Sequence, residues 1–407
     1  MDREGTTVDA VDSVDAVDSP PKYSPLCDDS NDVKPCRGGG YIVQLDKTKV
    51  VTPDQTKEVA EDLANKHGFT LKRVFTCCMR GFSIRGFLSD DILENLKNEE
   101  LVKNVELDIQ VCASALKVTS PEHSWSLRRL GVPMTQCSNG VDAHVIVLDT
   151  GVQENHPLLN VVEALSFIED EPETEDLNGH GTMSAGCATG TAPGVKIHSY
   201  KVLGKDGGGC LSDVVSGVER AVEYKQESGE EKIVLNLSLG AFVGRTSYIA
   251  LDEELRDAIV DHNIVSIVAA GNSSRDTKLF SPGHVKEAIT VGAYNEANRF
   301  SSFSNYGRDV DLLAPGTDVP TTNINSGITI NSGTSFAAPY VAGLAAAYLA
   351  QTVSNGERCP SPEQVRRHLI QTAQNALNSD KNKSIKNVPN LMTTSLSAYS
   401  YTRESES

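Results

Sequence analysis

Three short and widely separated segments carry the side chains that a nucleophilic hydrolase needs. Ser335 lies in the segment Asn331–Pro339, directly before a run of small apolar residues that predicts a buried helix. A serine at that position has its hydroxyl near unpaired backbone N–H groups and the positive end of the helix dipole. Asp149 ends the apolar, strand-like segment Val145–Leu148, and His180 lies between two glycines. We therefore expect a nucleophile, a base and a carboxylate to come together in the folded chain.

Each of these side chains has a defined task in peptide-bond hydrolysis. A serine hydroxyl is a weak nucleophile until a base takes its proton, and an imidazole can accept and return a proton near neutral pH. We predict that His180 is this base for Ser335, and that Asp149 holds the imidazole in one tautomer and stabilises its cation. Asn272, which ends another apolar segment, would stabilise the developing oxyanion together with the backbone N–H of Ser335.

The three segments are informative only in combination. The tripeptide Asp149-Thr150-Gly151 also occurs in aspartic peptidases, but these need a second Asp-Thr/Ser-Gly, which the sequence lacks. A histidine between glycines is more often a structural turn, and Gly-Thr-Ser before a helix is more often a cap. Their joint occurrence in the order Asp, His, Ser, each at the boundary of a predicted element, favours a serine peptidase.

Apolar strands that alternate with longer helices occupy most of the chain after about Val141. Continuous apolar runs of this kind are typical of strands covered on both faces. The predicted strands are Val145–Leu148, Val195–Tyr200, Ile233–Leu239, Ile264–Ala269, Ala288–Val291 and Val310–Leu313, and the predicted helices are Ser212–Ser228, Ser247–His262, Thr334–Ala350 and Pro362–Leu377. The pattern predicts an α/β fold with a doubly wound, mostly parallel sheet. Its binding crevice would lie at the carboxyl ends of the strands, where Asp149 and Asn272 fall.

The chain before residue 113 is predicted to form two further units. Residues 1–40 form an acidic leader in which Val8–Ser13 is repeated at Val14–Ser19, with so little to bury that we expect disorder. Residues 41–112 follow the order strand, helix, strand, strand, helix, strand, which predicts a small α+β ferredoxin-like unit. Its closing strand is predicted over Val102–Val111. Residues 113–407 would then form the catalytic unit.

Composition limits the class of protein and its partners. The 407 residues carry a net charge of −18, which disfavours nucleic acid and anionic membrane surfaces as partners. No apolar stretch reaches the roughly 20 uncharged residues that a membrane-spanning helix needs. The sequence contains nine cysteines, an odd number, so at least one thiol stays unpaired, and their spacing fixes neither a pairing nor a zinc site.

Six segments of the chain resemble signature regions of the subtilase family of serine endopeptidases. Four are Val147–Val152, Asn178–Gly186, Val268–Ser274 and Ser332–Gly343, while Phe300–Gly307 and Leu313–Thr317 sharpen the resemblance to the proteinase K branch. The similarity covers about residues 115–400, and Tyr41–Val111 resembles the inhibitory propeptide of that family. The resemblance implies a zymogen whose propeptide, residues 41–112, blocks the cleft until the chain is cut near Val111–Leu116.

The resemblance also implies a surface that binds substrate. Gly207, Gly208 and Gly209 would pair with the substrate backbone, and Cys210 beside them is a candidate for sensitivity to thiol reagents. The walls of the primary specificity pocket would be formed by Ser238, Leu239 and Gly240 on one side and Ala269, Ala270 and Gly271 on the other. These walls are uncharged, which favours apolar or aromatic side chains. Ala241 stands where a second glycine is frequent, so the finer preference stays open.

A structural calcium ion is a further expectation from the resemblance. Asp276 would bind it with the backbone carbonyls of Lys286 and Ala288, since calcium prefers oxygen ligands. The alternative is a solvated loop aspartate. No cofactor is expected for catalysis.

The expected partners are protein or peptide substrates and the chain's own propeptide, acting on a monomer. The resemblance implies secretion, although no signal peptide is visible, and an intracellular protease is the alternative. A catalytically silent binding protein with the same fold is the alternative to an enzyme.

Overall fold

The computed structural model describes residues 33–113, 116–117, 125–130, 141–244, 249–373 and 390–391. The strands are β1 (Gly40–Leu45), β2 (Leu71–Phe75), β3 (Gly81–Arg85), β4 (Val102–Leu107), β5 (Gln110–Ala113), β6 (Leu116–Lys117), β7 (His144–Asp149), β8 (Asn160–Ser166), β9 (Lys196–Lys201), β10 (Gly208–Cys210), β11 (Ile233–Leu237), β12 (Leu239–Phe242), β13 (Val265–Ala269), β14 (Phe280–Ser281), β15 (Ile289–Tyr294), β16 (Leu312–Pro315), β17 (Val319–Thr322), β18 (Ile328–Ser332) and β19 (Asn390–Leu391). The helices are α1 (Pro53–His67), α2 (Asp90–Lys97), α3 (Trp125–Arg129), α4 (His180–Thr191), α5 (Leu211–Ser228), α6 (Ala250–Val260), α7 (Thr334–Ser354) and α8 (Pro362–Thr372).

A parallel sheet forms the centre of the larger unit. Its strand order is β19-β16-β15-β13-β11-β7-β9-β8, and every neighbouring pair is parallel. Successive residues of β7 point to opposite faces, so Val145 and Val147 pack in one core and Ile146 and Leu148 in the other. Residues of α4 and α7 fill the first core and residues of α5 and α6 fill the second. The predicted doubly wound α/β class is confirmed.

The direction of chain growth reverses next to β7. The chain runs from β7 outward to β8 and β9 on one side, and then returns to β11 on the other side of β7. Crevices in doubly wound sheets lie at this switch point, outside the carboxyl ends of the strands. Asp149, the last residue of β7, and Ser238, the residue after β11, therefore lie at the edge where a site is expected.

A small antiparallel sheet with the order β2-β3-β1-β4 forms the other unit, and this is the predicted ferredoxin-like arrangement. One face packs on α1 and α2 through residues such as Val43, Leu63 and Leu96. The opposite face contributes Ile42 and Phe75 to the core that α5 and α6 line. The small sheet is thus seated on two helices of the larger unit.

Two boundaries differ from the sequence expectation. The strand predicted over Val102–Val111 is two strands, because β5 leaves the small sheet after Asp108 and pairs with β10 and β12 of the larger unit. Part of the leader predicted to be disordered is ordered, since Pro35 pairs with Ile109 and Cys36 is buried. That prediction is wrong for these two residues; residues 1–32 lie outside the described part of the chain.

Helix α7 is 21 residues long and apolar enough to span a membrane by length and composition. The helix predicted from the sequence, Thr334–Ala350, is four residues shorter. Of its most apolar stretch, 72% is buried inside the protein, which is typical of a core helix. It packs closely against α4, and a Cβ atom on Gly343 would lie 2.1 Å from Thr191 Oγ1 and 2.3 Å from the Ala188 carbonyl oxygen. Only glycine permits this approach of the two helices.

We predict that Gly343→Ala pushes α7 away from α4. Overpacking of this kind typically costs about 1–3 kcal/mol of unfolding free energy, so the midpoint of thermal unfolding should fall. The matched control is Gly190→Ala on α4, whose Cβ would lie 3.2 Å from the flexible end of the Leu127 side chain and at an ordinary contact distance of 3.7 Å from the Tyr340 ring. Calorimetry of the two variants checks the prediction, which equal midpoints would contradict.

Candidate active site

A buried histidine and carboxylate form the centre of the site. His180, the first residue of α4, donates from Nδ1 to Asp149 Oδ1 over 2.7 Å, and neither residue is exposed. Asp149 also accepts from the Thr150 backbone N–H at 2.8 Å and from Ser184 Oγ at 3.2 Å. These bonds fix the carboxylate, and the carboxylate fixes the imidazole with its proton on Nδ1. His180 Nε2 is then the nitrogen that carries the lone pair.

A second buried carboxylate, Asp176, organises the turn into α4. It accepts from Thr150 Oγ1 at 2.8 Å, from the Gly179 N–H at 2.7 Å and from Thr182 Oγ1 at 2.6 Å. Burial raises the pKa of Asp176 above its ordinary value, while these donors act in the opposite direction. Asp176 is not among the residues predicted from the sequence, because its role depends on contacts with Thr150, Gly179 and Thr182 that only the folded turn creates.

Ser335 is the second residue of α7, at the N-terminal end of the helix. Its hydroxyl donates to the Ser238 carbonyl oxygen at 3.2 Å, and Ser238 Oγ donates to the Ser335 carbonyl oxygen at 2.9 Å. The ring of the next residue, Phe336, lies 5.6 Å from the ring of His180. The helix start and the imidazole are therefore neighbours.

The expected hydrogen bond between Ser335 and His180 is not formed. His180 Nε2 is buried and has no hydrogen-bond partner, because the hydroxyl is turned to Ser238 instead. Nucleophile–base hydrogen bonds are often long or misaligned before substrate binds. Of the two hydrogen bonds that the predicted roles require, the one between Asp149 and His180 is present and the one between His180 and Ser335 is not.

Asn272 lies beside the start of α7. Its side-chain oxygen accepts from the Thr334 N–H and from Thr334 Oγ1, each at 2.9 Å. Thr334 Oγ1 in turn accepts from the Gly271 N–H at 3.1 Å. Gly271 has a φ of +96°, and a Cβ there would lie 2.4 Å from Asn305 Nδ2, so the turn requires glycine. The contacts orient the Asn272 amide with its NH₂ group on the side away from Thr334.

A strand of the chain itself runs through the crevice. β5 lies between β10 and β12, so that Gly208 pairs with Cys112 and Gly209 with Val111. On the other side Leu239 pairs with Ala113, and Gly240 pairs with Cys112, which is disulfide-bonded. The structure thus brings the predicted glycine edge and the first predicted wall to the two sides of one extended segment. The second predicted wall, Ala269–Gly271, continues from β13 toward Asn272.

The residues predicted for calcium do not fit the ion as they are arranged. The carbonyl oxygens of Lys286 and Ala288 both accept from the Arg366 guanidinium, which also donates to Asp311 Oδ1 at 3.0 Å. Asp276 instead caps a short 3-10 turn at Thr277–Leu279 and pairs with Lys278 Nζ at 3.0 Å. A divalent cation at these carbonyls would have to displace a positively charged side chain. The guanidinium takes the position that the resemblance assigned to calcium.

Comparison with known proteins agrees with this geometry. The model of the subtilase family, peptidase S8, matches residues 140–390. The chain is 35% identical over 297 residues to an extracellular serine proteinase of Thermus sp. strain Rt41A, covering 69% of each protein. It is 34% identical over 296 residues to subtilisin-like protease 1 of Trichophyton rubrum, covering 69% of this chain and 57% of that protein.

A solved structure is also similar. The crystal structure of a cold-adapted subtilisin-like serine proteinase matches with a TM-score of 0.56 and 32% sequence identity, over 66% of this chain and 97% of the other. The chain therefore belongs to the subtilase family. It is a serine-type endopeptidase, which acts on proteins or peptides.

We predict that Arg366, and not a calcium ion, holds the carbonyls of Lys286 and Ala288. Arg366→Met should lower the unfolding free energy by about 2–3 kcal/mol, because Asp311 and the two carbonyls lose their partner. The neighbouring Arg367→Met, which removes an exposed side chain 3.8 Å from Glu363, is the matched control. A chelator should leave the thermal midpoint of the wild type unchanged; a midpoint that falls with chelator and recovers with calcium would contradict this.

Proposed function

We propose that Asp149, His180 and Ser335 form the catalytic triad of a zymogen and that Asn272 completes its oxyanion hole. If the Ser335 hydroxyl rotates from Ser238 toward His180, it can donate a hydrogen bond to Nε2. His180 can then accept the hydroxyl proton. The hydroxyl oxygen then attacks the substrate carbonyl, the proton passes to Nε2, and Asp149 stabilises the imidazolium. The same proton goes to the leaving amine, and water hydrolyses the acyl-enzyme by the reverse steps.

The oxyanion would be held by two donors at the start of α7. The backbone N–H of Ser335 belongs to the first turn of α7, at the positive end of the helix dipole. The Asn272 amide is oriented by Thr334 with its NH₂ group away from that residue. Fixed donors of this kind cost no reorganisation when charge develops.

The observation that carries the proposal is the position of β5 between β10 and β12. An extended segment of this chain already fills the crevice in the way a peptide substrate would, through backbone pairing that tolerates many sequences. Val111 in that segment is fully buried and Ala113 is nearly so. Together with the uncharged walls Ser238–Gly240 and Ala269–Gly271, this supports a preference for apolar or aromatic side chains.

Residues 41–112 are proposed to be the inhibitory propeptide, as in the proteinase K branch. β5 ends at Ala113 on one side of the site, and β6 begins at Leu116 and pairs with β18, which directly precedes α7. The chain therefore enters and leaves the site within a few residues. We place the scissile bond within residues 113–116, so the released propeptide would end one to three residues after the predicted boundary at residue 112.

Carboxylates hold the propeptide on the catalytic unit. Asp108 accepts from the Ser212 N–H at 3.0 Å near the start of α5, and Glu106 accepts from the Ala250 N–H at 2.7 Å at the start of α6. Negative charge at a helix N-terminus satisfies unpaired donors and the helix dipole. In the opposite direction, Glu219 of α5 accepts from the Cys77 N–H at 2.7 Å. The contacts support an inhibitor that docks before it is cut.

Secretion is proposed from the relatives, one of which is named an extracellular proteinase. We further propose that the processed enzyme acts as a monomer.

Reaction with a fluorophosphonate tests the catalytic proposal. Wild-type protein that has been cut within residues 113–116 should be labelled at Ser335, and N-terminal sequencing should give a new terminus at Ser114, Ala115 or Leu116. Ser335→Ala should be neither labelled nor cut. Asn272→Ala should lower kcat by about 10²–10³, the usual effect of losing one oxyanion donor, while the exposed Asn325→Ala serves as the control. Processed protein that takes no label would instead indicate a silent binding protein.

The propeptide should bind the catalytic unit more tightly at acidic pH. Burial raises the pKa of Glu106 to about 7 from an ordinary value of 4.5; the Ala250 N–H opposes this shift, and nearby Asp252 and Asp108 add to it. A carboxyl whose pKa is raised in the complex binds its proton more tightly there than when free. Glu106 therefore stabilises the complex at a pH below 4.5, the pKa of the free carboxyl. This stabilisation is lost as the pH rises to about 7, the pKa in the complex.

We predict that the cut propeptide dissociates more readily at pH 8 than at pH 5, by at most about a hundredfold in affinity. Size-exclusion chromatography of the cut chain, with reductant present so that no disulfide contributes, measures the retained fraction. Glu106→Gln should flatten this dependence, whereas the exposed Glu100→Gln should not. An unchanged pH profile in Glu106→Gln would assign the effect to other groups.

A further inference from the structure

Two thiols from opposite sides of the propeptide boundary face each other. Cys36 precedes β1, and Cys210 ends β10, directly after the glycine edge of the crevice. Their Sγ atoms and a carboxylate oxygen of Asp108 all lie within 4.8 Å of one another. Both cysteines are free thiols here, and Cys36 is only 4% exposed while Cys210 is half-buried.

Backbone pairing holds the two thiols in this position. The Cys36 N–H donates to the Asp108 carbonyl oxygen at 2.8 Å, and Cys210 pairs with Gln110 in the β5–β10 ladder. Pro35 pairs with Ile109 between these two points. Both cysteines are therefore fixed to the same stretch of three residues, and their proximity follows from the register of the strands.

The surroundings disfavour a metal ion at this cluster. Asp108 already accepts from the Ser212 N–H at 3.0 Å and from Ser212 Oγ at 2.6 Å, one bond at each carboxylate oxygen. The ammonium of Lys72 lies 3.7 Å from Asp108 Oδ2 and 3.1 Å from Asp213 Oδ1, so a positive charge is already present. A divalent cation would be placed against that ammonium. The reaction that remains available to this cluster is therefore one between its two thiols.

We propose that Cys36 and Cys210 form a disulfide that ties the propeptide to the catalytic unit and retains it after the chain is cut within residues 113–116. The retention rests on the proposed zymogen function. A disulfide needs an Sγ–Sγ distance of about 2.0 Å. Because the two Sγ atoms already lie within 4.8 Å, side-chain rotations that move them by a few ångströms at most would form the bond.

The oxidant is a small-molecule disulfide such as glutathione disulfide. The thiolate of one cysteine attacks it, forms a mixed disulfide and releases one glutathione. The second cysteine then attacks the protein sulfur of the mixed disulfide and releases the second glutathione. Two thiol protons and two electrons pass from the protein to the oxidant, which leaves as two thiols.

The disulfide changes whether the propeptide leaves after the chain is cut. Once the chain is cut, a propeptide held by non-covalent contacts alone dissociates at low protein concentration. A tethered propeptide stays at an effective concentration on the order of millimolar, so β5 keeps the crevice filled. Release then requires reduction of the disulfide or degradation of the propeptide.

Peptide mapping of the uncut full chain tests the link itself. Ser335→Ala is incubated with glutathione disulfide, its free thiols are alkylated, and it is digested without reduction. Mass spectrometry should find Cys36 and Cys210 in one linked peptide pair. The disulfide of Cys112 is the internal control for oxidation. Alkylated Cys36 and Cys210 in protein whose Cys112 is oxidised would overturn the proposal.

Activity of the cut enzyme tests the retention. The comparison is made in a Cys112→Ser background, which removes the disulfide of Cys112 from the response to reductant. With Cys36 present, non-reducing electrophoresis should show one band, and reductant should raise activity at least tenfold. Adding Cys36→Ser should give two bands and full activity without reductant, whereas the control Cys359→Ser should behave like the parent.

Two further results are decisive. Equal activity of the parent and the Cys36→Ser variant without reductant would overturn the retention. A linked peptide in a wild-type chain that is never cut within residues 113–116 would support the disulfide and overturn the zymogen function.

Discussion

The close approach of α4 and α7 governs the rest of the molecule. α4 begins with His180 and α7 begins one residue before Ser335, so the contact between the two helices sets the distance between these two side chains. Gly343 makes the contact by leaving no side chain against Ala188 and Thr191. Gly181 has the same role at the other end of α4, where a Cβ would lie 1.9 Å from the Gly151 carbonyl oxygen. Close packing at these two glycines therefore positions His180 and Ser335.

The small unit and the catalytic unit are joined by buried carboxyl groups as well as by apolar surface. Glu106 and Asp108 face helix N-termini, and Glu219 and Glu254 receive backbone N–H groups from the turn that follows β2. Burying carboxylates is costly unless they are hydrogen-bonded, and each of these four is. The interface is therefore specific in register, since a shift of the small sheet would leave buried carboxylates without donors.

Arg366 shows how a family position can keep its geometry while changing its chemistry. The carbonyls that the resemblance assigned to a calcium ion still point to one place, but a guanidinium anchored by Asp311 fills it. Burial raises the pKa of Asp311 to about 6, and the positive charge of Arg366 opposes this shift. In this arrangement a guanidinium, rather than a free metal ion, lies against the two carbonyls.

The sequence alone determined the fold class and the family, and it singled out the residues from which the proposed site is built. Buried strands and helices have distinct apolar periods, and Asp149, His180, Asn272 and Ser335 each stand at the end of such an element, where a local pattern reveals them. Only the tertiary structure decided that the strand predicted over Val102–Val111 divides, that Asp176 supports the turn before His180, that Ser335 turns to Ser238, and that Arg366 reaches the predicted calcium ligands. It also brought Cys36 to Cys210, which are 174 positions apart in the chain. These features depend on contacts between distant segments, and no local periodicity encodes which distant side chain fills a given space.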